Sequence, residues 1–112
     1  MPFDPVYHEE GPTREEIDQS SGPMLLEFGA SWCGHCQGLS PTVEALLKEA
    51  PQVQHVRIAD GRGKKLGRSF RVKLWPTLVF MKAGKEVARI VRPDGADSIR
   101  EALRRIDAPG VG

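Results

Sequence analysis

Glu27-Phe28-Gly29-Ala30-Ser31-Trp32-Cys33-Gly34-His35-Cys36 is the stretch from which the fold can be read. Just before it, Met24-Leu25-Leu26-Glu27-Phe28 is an apolar run holding one carboxylate, the pattern of a buried strand. Just after it, Leu39, Val43, Leu46, Leu47 and Ala50 recur at helical spacing. Cys33 therefore falls at a helix N-terminus and Cys36 in the first turn of that helix. Pro41 lies inside the helix, removes the hydrogen bond to the Gln37 carbonyl and predicts a kink.

This placement matters chemically because a thiol is a nucleophile only as its thiolate. Unpaired N–H groups and the macrodipole at a helix start favour an anion, so Cys33 is the expected attacking sulfur. Cys36, one turn further in, is expected to stay protonated until it resolves a mixed disulfide. Two other readings of the pair carry less. A zinc site needs about four ligands, and beyond the pair the chain offers only His8, His35 and His55, so no metal and no cofactor is expected. A structural disulfide closing so small a loop stabilises little.

Working outward, Thr13 and Glu16 form a capping box that opens a short helix ending near Ser21-Gly22. Residues 1–11 are too rich in proline and polar groups to assign. Pro51 ends the long helix, and residues 53–59 read as a second strand. Leu66 and Phe70 suggest one or two helical turns, and residues 77–81 a third strand. Ala83-Gly84 is a hairpin turn into a fourth strand over 86–91. Ile99, Ala102, Leu103 and Ile106 mark a closing helix capped by Asp94 or Asp97. Strands separated by helices are expected to pair in parallel, with the last hairpin adding an antiparallel edge, in an α/β fold.

At 112 residues the chain is the size of one domain, read as 1–112 with 108–112 as a disordered tail. Sixteen basic and fifteen acidic residues give a net charge of +1, so no nucleic-acid partner is expected. The longest apolar stretches, such as 77–81, are far short of the roughly 20 residues a membrane helix needs. The first residues lack the basic and apolar regions of a signal peptide, so the expected location is cytoplasmic and the expected state monomeric.

Together with Pro41 and the later Trp75-Pro76-Thr77, the opening stretch resembles the thioredoxin family, and the order of elements extends the resemblance over nearly the whole chain. The resemblance implies a central mixed, mostly parallel sheet flanked by helices. It also implies a thiol-disulfide oxidoreductase that exchanges disulfides with protein substrates and is recycled by a reductase or a small thiol. His35 between the cysteines resembles the disulfide isomerase form of the motif. As a cation it would stabilise the Cys33 thiolate and make the disulfide more oxidising; as a solvent-facing residue it would do neither.

Glu27 inherits by resemblance the role of proton acceptor for Cys36, against the alternative of a partly exposed strand carboxylate. Arg57 either pairs with Glu27 or is solvated. Pro76 is expected to be cis, leaving a backbone edge free for a substrate peptide. Trp32 and Trp75 are docking residues or core residues. Gly29, Leu74, Trp75 and Arg92 depart from the family pattern at the expected docking groove, with Gly29 standing where a tryptophan is usual. These departures put the family's usual partners in doubt, but not the exchange chemistry. Within that reading a reductase leads. The rivals are an oxidase or isomerase of an oxidising compartment, and a non-catalytic binding module, against which both cysteines and the acid argue.

Overall fold

The computed structural model describes residues 3–107. The elements run α1 (Arg14–Asp18), β1 (Pro23–Gly29), α2 (Gly34–Lys48), β2 (Gln54–Ala59), α3 (Lys65–Ser69), β3 (Thr77–Lys82), β4 (Lys85–Val91) and α4 (Asp97–Asp107). Element order and type are those expected from the sequence. The capping box forms, with the Thr13 hydroxyl accepting from Glu16 N and the Glu16 carboxylate accepting from Thr13 N. The closing helix differs slightly from expectation. It begins at Asp97, so that residue lies within the first turn, where its charge complements the helix dipole.

The sheet is mixed, in the order β2-β1-β3-β4. Its parallel content is lower than expected: β1 and β2 are parallel, but β3 runs antiparallel to β1 and β4 antiparallel to β3. The element before β3, α3, is short. Its five residues rise only about 7.5 Å, against about 20 Å for a six-residue strand. Most of the connection from β2 to β3, residues 60–76, is therefore not helix, and no full-length crossover helix precedes β3 as one precedes β2.

Alternation along β1 divides the core. Leu25 packs with Leu39, Val43, Leu47, Phe80, Ile99, Leu103 and Ile106 beneath α2 and α4. Met24, Leu26 and Phe28 pack on the other face with Ile17, Ile58 and Phe70, toward α1 and α3. Glu27 is two residues from Leu25 and therefore shares the face under α2. The unassigned N-terminal segment joins the far edge of the sheet. His8 N donates to Arg57 O at 3.1 Å and Ala59 N donates to His8 O at 2.9 Å, a parallel bridge outside β2. Residues 108–112, expected to be a tail, lie outside the described residues.

Candidate active site

Cys33 is the residue that caps α2. Its backbone is extended (φ −79°, ψ 118°), and its Sγ accepts a hydrogen bond from Cys36 N at 3.3 Å. A sulfur held this way faces the first free N–H groups of a 15-residue helix, the polarity that suits an anion. Both cysteines are free thiols. Cys33 is 8% exposed at the surface, while Cys36 is wholly enclosed. Burial, and then the hydrogen bond with Cys33, pushes the Cys36 thiol up to about 11. The two sulfurs thus differ in access, and Cys36 holds its proton more firmly than an ordinary thiol.

Beneath α2, Glu27 is completely buried and fully partnered. His55 Nε2 lies 2.8 Å from Oε1, Arg57 Nε lies 3.3 Å from the same oxygen, and the Tyr7 hydroxyl donates to Oε2 at 2.8 Å. Strand register explains the convergence: Glu27 pairs with Arg57 and Leu25 with His55 across parallel β1 and β2, so alternate residues meet on one face. Asp4 N donates to His55 Nδ1 at 2.9 Å, which leaves the ring proton on Nε2 to be donated to Glu27. Burial alone would raise the Glu27 carboxyl, but the His55 hydrogen bond and the Arg57 charge outweigh it and hold the carboxyl below its ordinary value. Arg57 Nε is poorly aligned for a hydrogen bond and contributes charge, while its Nη2 donates to Ser40 Oγ. The sequence singles out Glu27 and leaves its pairing with Arg57 open against a solvated charge; the pairing is found here, whereas His55 and Tyr7 are not read from the sequence as its partners.

A thiol pair at a helix start, above a buried carboxylate, is where comparison with known proteins becomes informative. The family model described as Thioredoxin matches residues 6–105. The chain belongs to the thioredoxin family. Thioredoxin from Chlamydia trachomatis serovar D is 38% identical over 86 residues, covering 77% of this chain and 84% of the relative. Thioredoxin from Echinococcus granulosus is 30% identical over 99 residues, covering 88% and 92%. The solved structure of thioredoxin 2 from Pseudomonas aeruginosa PAO1 in its reduced form superposes with a TM-score of 0.81 at 48% identity, covering 90% of this chain and 94% of that one. This thioredoxin-family chain is a thiol-disulfide oxidoreductase.

Around the thiols of this thioredoxin-family protein, the Trp75–Pro76 bond is cis. Trp32 is 73% exposed and meets Trp75 edge-on at 5.4 Å. Trp75 is half-buried, and its Nε1 donates to Asp60 Oδ2 at 2.9 Å. The two tryptophans form an aromatic step beside Cys33, with Trp75 also packed against the thiols. Arg92 is exposed at a positive φ of 50°, and its Nε donates to the Trp75 carbonyl at 2.8 Å. His35 is exposed and lines a cleft of about 580 Å³ together with Leu39, Thr42, Pro93 and Asp94. At Gly29, a Cβ would stand 2.6 Å from Cys36 Sγ and 3.1 Å from the Tyr7 ring, so the space beside this position is already filled.

Proposed function

We propose that this chain is a cytoplasmic, monomeric reductase of protein disulfides, working through the Cys-Gly-His-Cys pair. The unequal access to the two sulfurs carries the reading. A substrate disulfide reaches Cys33, whose thiolate attacks one sulfur and releases the other as a thiol. Cys36 then loses its proton and attacks Cys33, releasing the second substrate thiol and leaving Cys33–Cys36 oxidised. A reductase or a small thiol returns the pair to dithiol. Glu27, ionised under α2, is the acceptor toward which the Cys36 proton moves. Trp32, Trp75, Pro76 and Arg92 form the surface that receives the substrate.

The exposure of His35 supports the reducing direction. A cation in solvent is screened, so its stabilisation of the thiolate is weakened. Reference potentials are about −270 mV for thioredoxin and about −180 mV for protein disulfide isomerase. The expected potential of this protein lies between them, nearer the former. Equilibration with a glutathione couple measures it. A value at or above about −180 mV would favour an oxidase or isomerase instead. His35→Pro is expected to make the pair more reducing, and an unchanged potential would remove His35 from the account.

A further inference from the structure

Glu27 needs a path to Cys36. Its Oε1 is taken up by His55 and Arg57, and its Oε2 accepts from the Tyr7 hydroxyl. Of these three partners, Tyr7 is the one packed against the cluster of Ala30, Cys33 and Cys36. Its hydroxyl and the Cys36 sulfur both lie beside Gly29. The two atoms close around the same point, since a Cβ built at Gly29 would sit 2.6 Å from Cys36 Sγ and 3.2 Å from Tyr7 Oη, too close to fit between them. The Arg57 guanidinium lies 4.6 Å from the centre of the Tyr7 ring and holds it in place. Burial, with the nearby Glu27 charge, drives the phenol well above its ordinary range, so Tyr7 does not itself hold a negative charge. A hydroxyl that donates to a carboxylate and can accept from a thiol has the two faces a proton relay requires.

We infer that Tyr7 relays the proton from Cys36 to Glu27 during resolution of the mixed disulfide, an inference that rests on Glu27 being the acceptor. As the Cys36 S–H bond breaks, its proton moves to Tyr7 Oη and the Tyr7 O–H proton moves to Glu27 Oε2. The electron pair left on Cys36 forms the bond to Cys33 Sγ, and the bond between Cys33 and the substrate sulfur breaks. The substrate leaves as a thiolate and takes a proton from solvent. Glu27 returns its proton through the cleft of about 410 Å³ lined by Tyr7, Ser40 and Arg57. The substrate disulfide is the only oxidant consumed.

The test is stopped-flow reduction of a disulfide peptide by the full chain, with attack and resolution resolved as separate phases. Tyr7→Phe keeps the ring over Arg57 and removes only the hydroxyl. It is expected to slow resolution about 100-fold, the scale of a lost acid–base step, while attack stays within about 2-fold of wild type. Glu27→Gln should slow resolution similarly, and the double variant should be no slower than either single one, because members of one path do not add. In mixtures of light and heavy water, the resolution rate of unaltered protein should bend with deuterium fraction, as two protons in flight require. Wild-type resolution in Tyr7→Phe beside a slow Glu27→Gln would overturn the relay and leave Glu27 as acceptor. Wild-type resolution in both would remove Glu27 as well. Additive losses, or a straight isotope line, would also overturn the relay, and the isotope measurement needs no variant to fold.

Discussion

One carboxylate with three partners and two unlike sulfurs govern the chemistry at the scale of single residues. Cys36 is enclosed and its thiol lies near 11, so reduced protein treated with iodoacetamide near neutral pH is expected to be labelled at Cys33 first. Equal labelling on peptide mapping would undo the assignment of roles. The same groups shape stability against pH. Glu27 titrates lower in the fold than in the unfolded chain, so its contribution is present above about 4.5 and is lost as pH falls through its folded value. Glu27→Gln leaves Arg57 buried without its counter-charge. It should cost about 3 kcal/mol near neutral pH and flatten the acid limb of a stability–pH curve. Cys36 titrates higher in the fold, so its contribution is full below about 9 and is lost as pH rises toward 11. Cys36→Ser should flatten that alkaline interval, and an unchanged alkaline limb would show that the thiol is not held neutral.

Much of this site was legible in the sequence, because Cys33, Cys36 and Glu27 lie within ten residues of one another. His55 carried a weaker signal: it and Arg57 alternate in a strand whose register sets them on the face of Glu27. Tyr7 carried none. It lies in a proline-rich segment, and its role depends on contacts 20 and 29 residues away that no periodicity encodes.

At the scale of elements, the sequence read well wherever periodicity and capping agreed, and poorly for strand direction. An apolar run such as 77–81 has the same pattern whichever way it is laid against β1, so periodicity does not encode its direction. The β3–β4 turn was legible from Ala83-Gly84, and both residues adopt positive φ, at 51° and 78°. Gly84 also packs tightly, because a Cβ there would stand 2.0 Å from the Asp18 carbonyl oxygen. Gly84→Ala is therefore expected to cost about 2 kcal/mol or more, since the backbone at the end of α1 must move to admit it. Thermal unfolding of the variant measures the cost, and a melting temperature equal to wild type would show that the turn has room to yield.

At the scale of the whole molecule, the start of α2 and the 75–76 and 92 backbone, joined by the hydrogen bond from Arg92 N to Pro76 O at 2.9 Å, form a rim around Cys33. Arg92 places a cation on that rim while its Nε donates to the Trp75 carbonyl. Disulfide peptides carrying an acidic residue should react faster than basic ones, and raising the salt should shrink the difference, as for a rim charge that acts on association. Arg92→Gly should abolish the preference and relieve the positive φ. If the preference persists in that variant, Arg92 is not its source. The crowding beside Cys36 bears on the evolution of such a protein. A Cβ at position 29 would meet Cys36 Sγ at 2.6 Å and the Tyr7 ring at 3.1 Å, so a large side chain there requires the sulfur to shift and the tyrosine to give way. A lineage crossing from the tyrosine to the large side chain must vacate the space before refilling it, and each intermediate sequence has a void or a clash next to the resolving sulfur. Positions 7 and 29, far apart in the chain, should be inherited as a single character.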